Sequence, residues 1–216
     1  MTACPFETFP ALSAQPVLHA FTGRVPGLDV KIDRTAALAL LSDHHAEIRA
    51  HIGVGTRRFI TAEQVHGAGV ARVSATDTAP IANVDALITD DPDVCLGIYV
   101  ADCGPVWLVD PVHRAIACIH SGRKGTEARI TAAAIEAMVE NFGSVRTDII
   151  AQLGPCIRPT HYEVDFAAGI IRQCRESGLT SVHDCGHCTA ENSDRYYSYR
   201  REKGQTGRML ALLALA

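Results

Sequence analysis

Two apolar runs, each closing on a side chain able to bind a metal, dominate the middle of this chain. From Asp85 to Gly125 it reads DALITDDPDVCLGIYVADCGPVWLVDPVHRAIACIHSGRKG, three hydrophobic segments separated by Gly104-Pro105 and Asp110-Pro111. Those pairs are turn signals that keep each segment too short for a helix, so three successive buried strands are expected. Cys103 closes the first run and His120 the third. A buried strand that ends in Asp-Cys-Gly-Pro or His-Ser-Gly lifts its polar residues to the rim of a sheet, where a rigid frame can hold a site.

The flanking sequence is of a kind that can bury such a frame. With 216 residues, 47% of them hydrophobic, the chain suits one domain spanning 1–216. A net charge of -4 gives no basic footprint, which argues against nucleic acid or an anionic membrane as the main partner. The opening residues Met1-Thr-Ala-Cys-Pro-Phe-Glu7 have neither a basic nor an apolar leader region, so the expected address is the cytoplasm. Eight cysteines, at 4, 95, 103, 118, 156, 174, 185 and 188, lie too often inside apolar runs for a secreted disulfide framework. Most are expected to be reduced, some packed as small hydrophobes and a few serving as ligands.

In chain order, the residues up to Pro16 read as irregular, and Val17 to Arg24 as a strand that delivers Arg24 to a Gly turn. Ile32 to Ile52 has Leu38, Leu41 and Ile48 at helical spacing, with His44, His45 and His51 expected on the solvated face. A short strand from Arg57 runs into the loop Gln64-Val-His-Gly67, and Gly69 to Val73 resumes a strand. Thr126 is the expected N-cap of a helix carrying Ile130, Ala134, Ala137, Met138 and Phe142 on one face and stopping at Gly143. The basic loop Ser121-Gly-Arg-Lys-Gly125 before it offers cations and free N–H groups to an anion. Asp148–Leu153 is a strand, Phe166–Glu176 a helix stopped by Gly178, and Thr180–His183 a strand. Tyr196–Arg201 alternates like a strand, and Met209–Ala216 closes the chain as another.

Two constellations carry metal-type chemistry. His66, Cys103 and His120 offer two imidazoles and one thiolate from three separate turns, a set that suits zinc with a fourth position left open. A metal so held brings a water pKa down to about 7. His161-Tyr-Glu163 followed by Cys185-Gly-His-Cys188 follows the H-x-E then C-x-x-C order of zinc deaminases, although Asp184 stands where their Pro would. Cys185-Gly-His-Cys188 also has the form of a disulfide oxidoreductase pair, without room for the rest of that fold.

Gln64-Val-His-Gly67, Asp85-Ala-Leu-Ile-Thr89, Ala101-Asp-Cys-Gly-Pro105, His120-Ser-Gly-Arg-Lys-Gly125, Gly154-Pro-Cys-Ile157, Tyr162-Glu-Val164, Tyr197-Ser-Tyr-Arg-Arg201 and Thr206-Gly-Arg208 occur in one order. In that order the chain resembles the laccase-domain family, also called the multicopper polyphenol oxidase or YfiH-like family. The resemblance implies an α+β fold, a single mixed α/β domain of packed sheets flanked by helices in α/β/β/α layers. It implies a zinc site at His66, Cys103 and His120. It also implies phosphorolysis of purine nucleosides (adenosine, inosine, guanosine, methylthioadenosine) and adenosine deamination, with copper-dependent polyphenol oxidation, a degenerate zinc protein or peptidoglycan-precursor editing as alternatives. Asp102 and Cys103 are then the catalytic candidates, and Arg24, Gln64, Arg123 and Lys124 the candidates for holding nucleoside and phosphate. The family loop HAGWRG is here HSGRKG, so Arg123 replaces Trp and Lys124 replaces an Arg with its bidentate fork.

Overall fold

The computed structural model describes residues 5–216. Met1–Cys4, with the cysteine at position 4 and the start of the N-terminal segment read above, lie outside the described residues. In chain order the strands are β1 (Phe6–Glu7), β2 (Val17–Thr22), β3 (Arg58–Thr61), β4 (Val70–Arg72), β5 (Ala86–Thr89), β6 (Val94–Val100), β7 (Gly104–Asp110), β8 (Ala115–Ser121), β9 (Ile150–Leu153), β10 (Ser181–Asp184) and β11 (Met209–Leu215). The helices are α1 (Pro10–Ser13), α2 (Arg34–His51), α3 (Arg123–Glu127), α4 (Ile130–Phe142) and α5 (Phe166–Glu176). Five strands form one mixed sheet in the order β1-β2-β11-β6-β3, and six form a second in the order β10-β9-β7-β8-β5-β4.

The three central runs are strands, and strand alternation explains why they show no polar face. In β7, Trp107 and Val109 pack toward the five-stranded sheet while Val106 and Leu108 face the helices. In β8, Ile116 and Cys118 take the first direction and Ala115, Ala117 and Ile119 the second. The six-stranded sheet is therefore buried on both faces at its central strands β7 and β8, and β6 of the other sheet is nearly as enclosed, which is why these strands read as continuous apolar runs. The Trp107 indole N–H donates to Leu212 O of β11 at 3.1 Å, tying the sheets together. α4 and α5 cover the outer face of the six-stranded sheet. Asp33 caps α2 by accepting from Thr35 N and Ala36 N, Asp165 caps α5, and Gly143 ends α4 at φ 70. No helix among the described residues is long and apolar enough to cross a membrane.

Four expectations are corrected. Residues 5–16 are not irregular throughout, since β1 and α1 form there, with Pro10 at a position where the missing N–H costs nothing. Thr126 is not an N-cap: it lies inside α3, its hydroxyl bonded to Ser121 Oγ at 2.9 Å, and Arg129 at φ 62 separates α3 from α4. Tyr196–Arg201 is turn and irregular chain, because adjacent Tyr196 and Tyr197 are both buried, which strand alternation forbids when one face is exposed. His45 is not solvated. It is buried on α2 with its ring 5.7 Å from that of Tyr99, and burial holds its pKa down to about 4.

Candidate metal centre

The chain passes between the two sheets at the segment from β3 to β4 and again from β6 to β7. The first crossing carries Gln64-Val-His-Gly67 and the second Ala101-Asp-Cys103. The β7–β8 hairpin then sets the third group in place. Its register pairs Pro105 with His120 and Gly104 with Ser121, so Cys103 falls beside Gly122. A Cβ at Gly122 would overlap the Cys103 sulfur, and only glycine leaves that approach open. The donor atoms of His66, Cys103 and His120 all lie within 4.8 Å of one another. The backbone bends sharply at both crossings, with His66 at φ 62 and Asp102 at φ 84. Such conformations persist where surrounding bonds enforce them.

Those bonds converge on Asp85, a fully buried carboxylate at the start of β5 that sequence reasoning did not single out. Its Oδ1 accepts from His120 Nδ1 at 2.7 Å and from His66 N at 2.9 Å. Its Oδ2 accepts from Gly67 N at 2.7 Å and Val65 N at 3.2 Å. One carboxylate therefore orients the His120 ring and holds the loop that bears His66. Its signal in sequence was the DALIT run, in which an acid stands at the head of an otherwise apolar strand.

Electrostatics within the cluster favour a Cys103 thiolate beside a protonated His120, which gives up its Nε2 proton when a cation binds. Burial pushes the Cys103 thiol up, but His120 and His66 beside it outweigh burial and bring the thiol down to about 6. For His120, burial acts downward, and the Cys103 sulfur and Asp85 reverse it, to about 9. Burial also raises Asp85, whereas its bonds from His120 and the loop N–H groups bring it below the usual carboxylate range. The thiolate is the form of cysteine that binds metal, and an imidazole fixed through Nδ1 by a carboxylate is the usual second-sphere arrangement around one. Two imidazoles and one thiolate suit a borderline-soft cation with a coordination position to spare.

The cluster opens into a cavity of about 770 Å³. Tyr99, Ile157, Tyr162, Phe166 and Tyr199 give it aromatic and apolar walls, and Arg34, Arg123, Lys124, Arg200, Lys203 and Arg208 bring positive charge. Gln64 and Asp102 line it as well, each already engaged. The Gln64 amide bonds both Tyr99 O (2.6 Å) and Tyr99 N (3.0 Å). Asp102 accepts from Thr189 Oγ1 and Arg200 N, both at 2.7 Å. Arg24 is a correction: it is not brought to the cavity, since its guanidinium pairs with Glu202 at 2.7 Å, donates to Tyr196 O and lies over the Tyr197 ring. Arg34, Arg200, Lys203 and Arg208 were missed. Arg200 and Arg208 lie within recognisable motifs, but nothing in sequence marks the start of α2 as facing this cavity.

The second constellation does not assemble. Among the described residues the only group placed to hold a metal is His66, Cys103 and His120. Glu163 pairs with Arg200 at 2.6 Å, and His161 Nδ1 lies 3.7 Å from the Cys188 sulfur with no second thiol beside it at ligating distance.

A layered mixed α/β sandwich with a His-Cys-His cluster at its sheet crossings defines a class, and the comparisons identify it. The chain belongs to the multi-copper polyphenol oxidoreductase laccase family, whose sequence model matches residues 27–168 and 161–216. It is 34% identical over 232 residues to a purine nucleoside phosphorylase of Deinococcus radiodurans, covering 92% of this chain and 89% of that protein. A purine nucleoside phosphorylase of Streptomyces coelicolor is 34% identical over 185 residues, covering 73% and 75%. The crystal structure of YfiH from Bacillus licheniformis matches with a TM-score of 0.85 at 21% identity, covering 93% of each chain, and shares the fold.

Proposed function

We propose that this chain is a zinc-dependent purine nucleoside phosphorylase. The observation that carries the reading is one cavity in which a soft-metal donor set, aromatic faces and a cluster of cations meet. Its volume of about 770 Å³ suits a nucleoside together with phosphate. The names of the Deinococcus and Streptomyces relatives support the same reaction class.

In phosphorolysis a phosphate oxygen bonds to C1′ of the ribose as the C1′–N9 bond breaks, and the electron pair leaves with the purine, which takes up a proton at a ring nitrogen. Negative charge accumulates on the departing base while the sugar becomes cationic beside the phosphate dianion, so fixed cations that hold the phosphate and aromatic faces around the base are what the step requires. Zinc held by His66, Cys103 and His120 would supply Lewis acidity toward an electron-rich atom of the substrate. Asp85 keeps His120 and the His66 loop in place. Asp102 positions the 189–200 segment through Thr189 and Arg200, and Gln64 fixes the crossing loop to β6. Arg123 and Lys124 face the substrate from α3.

Adenosine deamination, also implied by the family resemblance, needs a carboxylate free to carry a proton to and from water. Asp102 has both oxygens engaged and Glu127 pairs with Arg123, so phosphorolysis is the better-supported reaction. Copper-based oxidation by several metals together would need more ligand groups than the single cluster found among the described residues.

The test is incubation of zinc-loaded protein with adenosine, inosine, guanosine and methylthioadenosine, with and without phosphate, followed by chromatography. Phosphate-dependent free base and pentose 1-phosphate are expected. Phosphate-independent inosine from adenosine would replace the reading with a deaminase, and no product from any nucleoside would replace it with a degenerate or peptidoglycan-editing member.

A further inference from the structure

We propose that Arg34, Lys203 and Arg208 form the oxyanion subsite of the cavity and hold inorganic phosphate there, in place of the Arg123–Lys124 loop. The inference rests on the phosphorylase reading and deepens it.

Charge pairing separates the cations. Arg123 is matched by Glu127 at 3.0 Å and Arg200 by Glu163 at 2.6 Å. Arg34, Lys203 and Arg208 have no carboxylate oxygen within 4.0 Å among the described residues. They come from the start of α2 and from the turn and chain after Tyr199, a different side of the molecule's topology from α3. Lys124 has no carboxylate partner among the described residues either and is as exposed as Arg34 and Lys203, but it stands on α3, whereas Lys203 lies in the 199–208 segment that bears Arg208 and Arg34 is close enough to Arg208 to act on its charge.

Arg208 is the built part of the subsite. It is half-buried, and Nη1 is fastened by donating to Thr206 O at 2.8 Å and Gly207 O at 2.9 Å. The guanidinium carbon lies 5.9 Å from the centre of the Tyr199 ring, and the remaining edge of the fork is left for the cavity. Withdrawing a guanidinium from water without a counter-ion is unfavourable. Burial, and then Arg34 close by, lower its pKa, against smaller upward pulls from Tyr199, Cys103 and Asp102. Asp102 is near, but its oxygens accept from Thr189 and Arg200 N. An oxyanion bearing two negative charges offers the bidentate acceptor geometry that the Arg208 fork matches, and Arg34 and Lys203 complete its neutralisation.

Inorganic phosphate titrated calorimetrically into the zinc-loaded protein, without nucleoside, reads the subsite independently of turnover. The variants are Arg208→Lys, the exposed pair Arg34→Gln/Lys203→Gln, and Lys124→Gln, each checked by circular dichroism and thermal melting. The first two should weaken phosphate binding about tenfold or more. In steady state they should raise the phosphate KM to match while the nucleoside KM stays within about twofold. Phosphate affinity unchanged in the exposed pair, or lost in Lys124→Gln instead, overturns the subsite even if phosphorolysis is intact. Phosphate binding lost as expected in a protein that cleaves no nucleoside would keep the subsite and remove the phosphorylase reading. A wild type that binds no phosphate removes both.

Discussion

The floor and the rim of the cavity are built on opposite principles. On the floor, His66, Cys103 and His120 stand at strand ends or sheet crossings, and the Asp85 beneath them is fully buried with both oxygens engaged. On the rim, Arg34, Arg123, Lys124 and Lys203 are exposed side chains from helix starts and turns, with long stems and few fixed contacts. Chemistry that needs exact donor placement is held in the part of the molecule that cannot relax, whereas substrate choice is left to groups that evolution can exchange at little cost to folding. The HSGRKG loop shows both halves in one stretch. His120 and Gly122 are locked by register and by the close approach of sulfur, while Arg123 and Lys124 depart from the family pattern without disturbing them.

That contrast can be broken or sharpened by substitution. The largest effect is expected at the donors: Cys103→Ala or His120→Ala should abolish both zinc retention and nucleoside cleavage, read by metal analysis after gel filtration and by chromatography. A variant with wild-type turnover and no zinc would show that the floor is not the reaction centre. Next comes Gly122→Ala, which removes no ligand yet sets a methyl group against the Cys103 sulfur. It should lose most of its metal while its circular dichroism spectrum stays native, and full metal content would mean the hairpin yields more than its register implies. Asp85→Asn should weaken zinc affinity by about 10–100-fold, measured by competition with a chromophoric chelator. An amide cannot accept from the His120 ring and three loop N–H groups together. Unchanged affinity would place the control of His120 elsewhere. The smallest change is expected at Lys124: Lys124→Gln should alter kcat/KM by less than about threefold, since its exposed charge is screened and mobile and stands outside the Arg34–Lys203–Arg208 subsite. A loss as large as that of Asp85→Asn would erase the distinction drawn here.

Much of this was legible from residues alone, for reasons the structure makes plain. The central strands were readable because β6, β7 and β8 are each buried almost along their whole length, and α5 because Asp165 and the Gly178 turn bracket a strongly two-sided run. The three donors were legible through the motif order that surrounds them. Asp85 was not singled out because its partners come from loop N–H groups far away in the chain, and a lone acid carries no mark of what it will accept. Arg34 was hidden for a related reason, since the side on which a helix start meets a cavity is decided by tertiary packing. Tyr196–Arg201 misled because alternating aromatic and polar residues also suit an irregular segment that buries two consecutive tyrosines. Arg24 misled because a loop arginine beside a motif is as readily claimed by Glu202 as by a substrate.

The crossings that carry His66 and Cys103 are also the seams where one sheet hands the chain to the other. A cation gripped there, with His120 on the hairpin, would clasp three segments that are remote in sequence, much as a covalent cross-link does, but reversibly. Because an unfolded chain presents no such pocket, occupancy feeds directly into the folding equilibrium, adding about 2.7 kcal/mol at a hundredfold excess over Kd. Metal supply would then govern how long each molecule survives as well as how fast it works. A cell short of that cation would hold a folded but less stable chain, cleared faster than its metal-bound form.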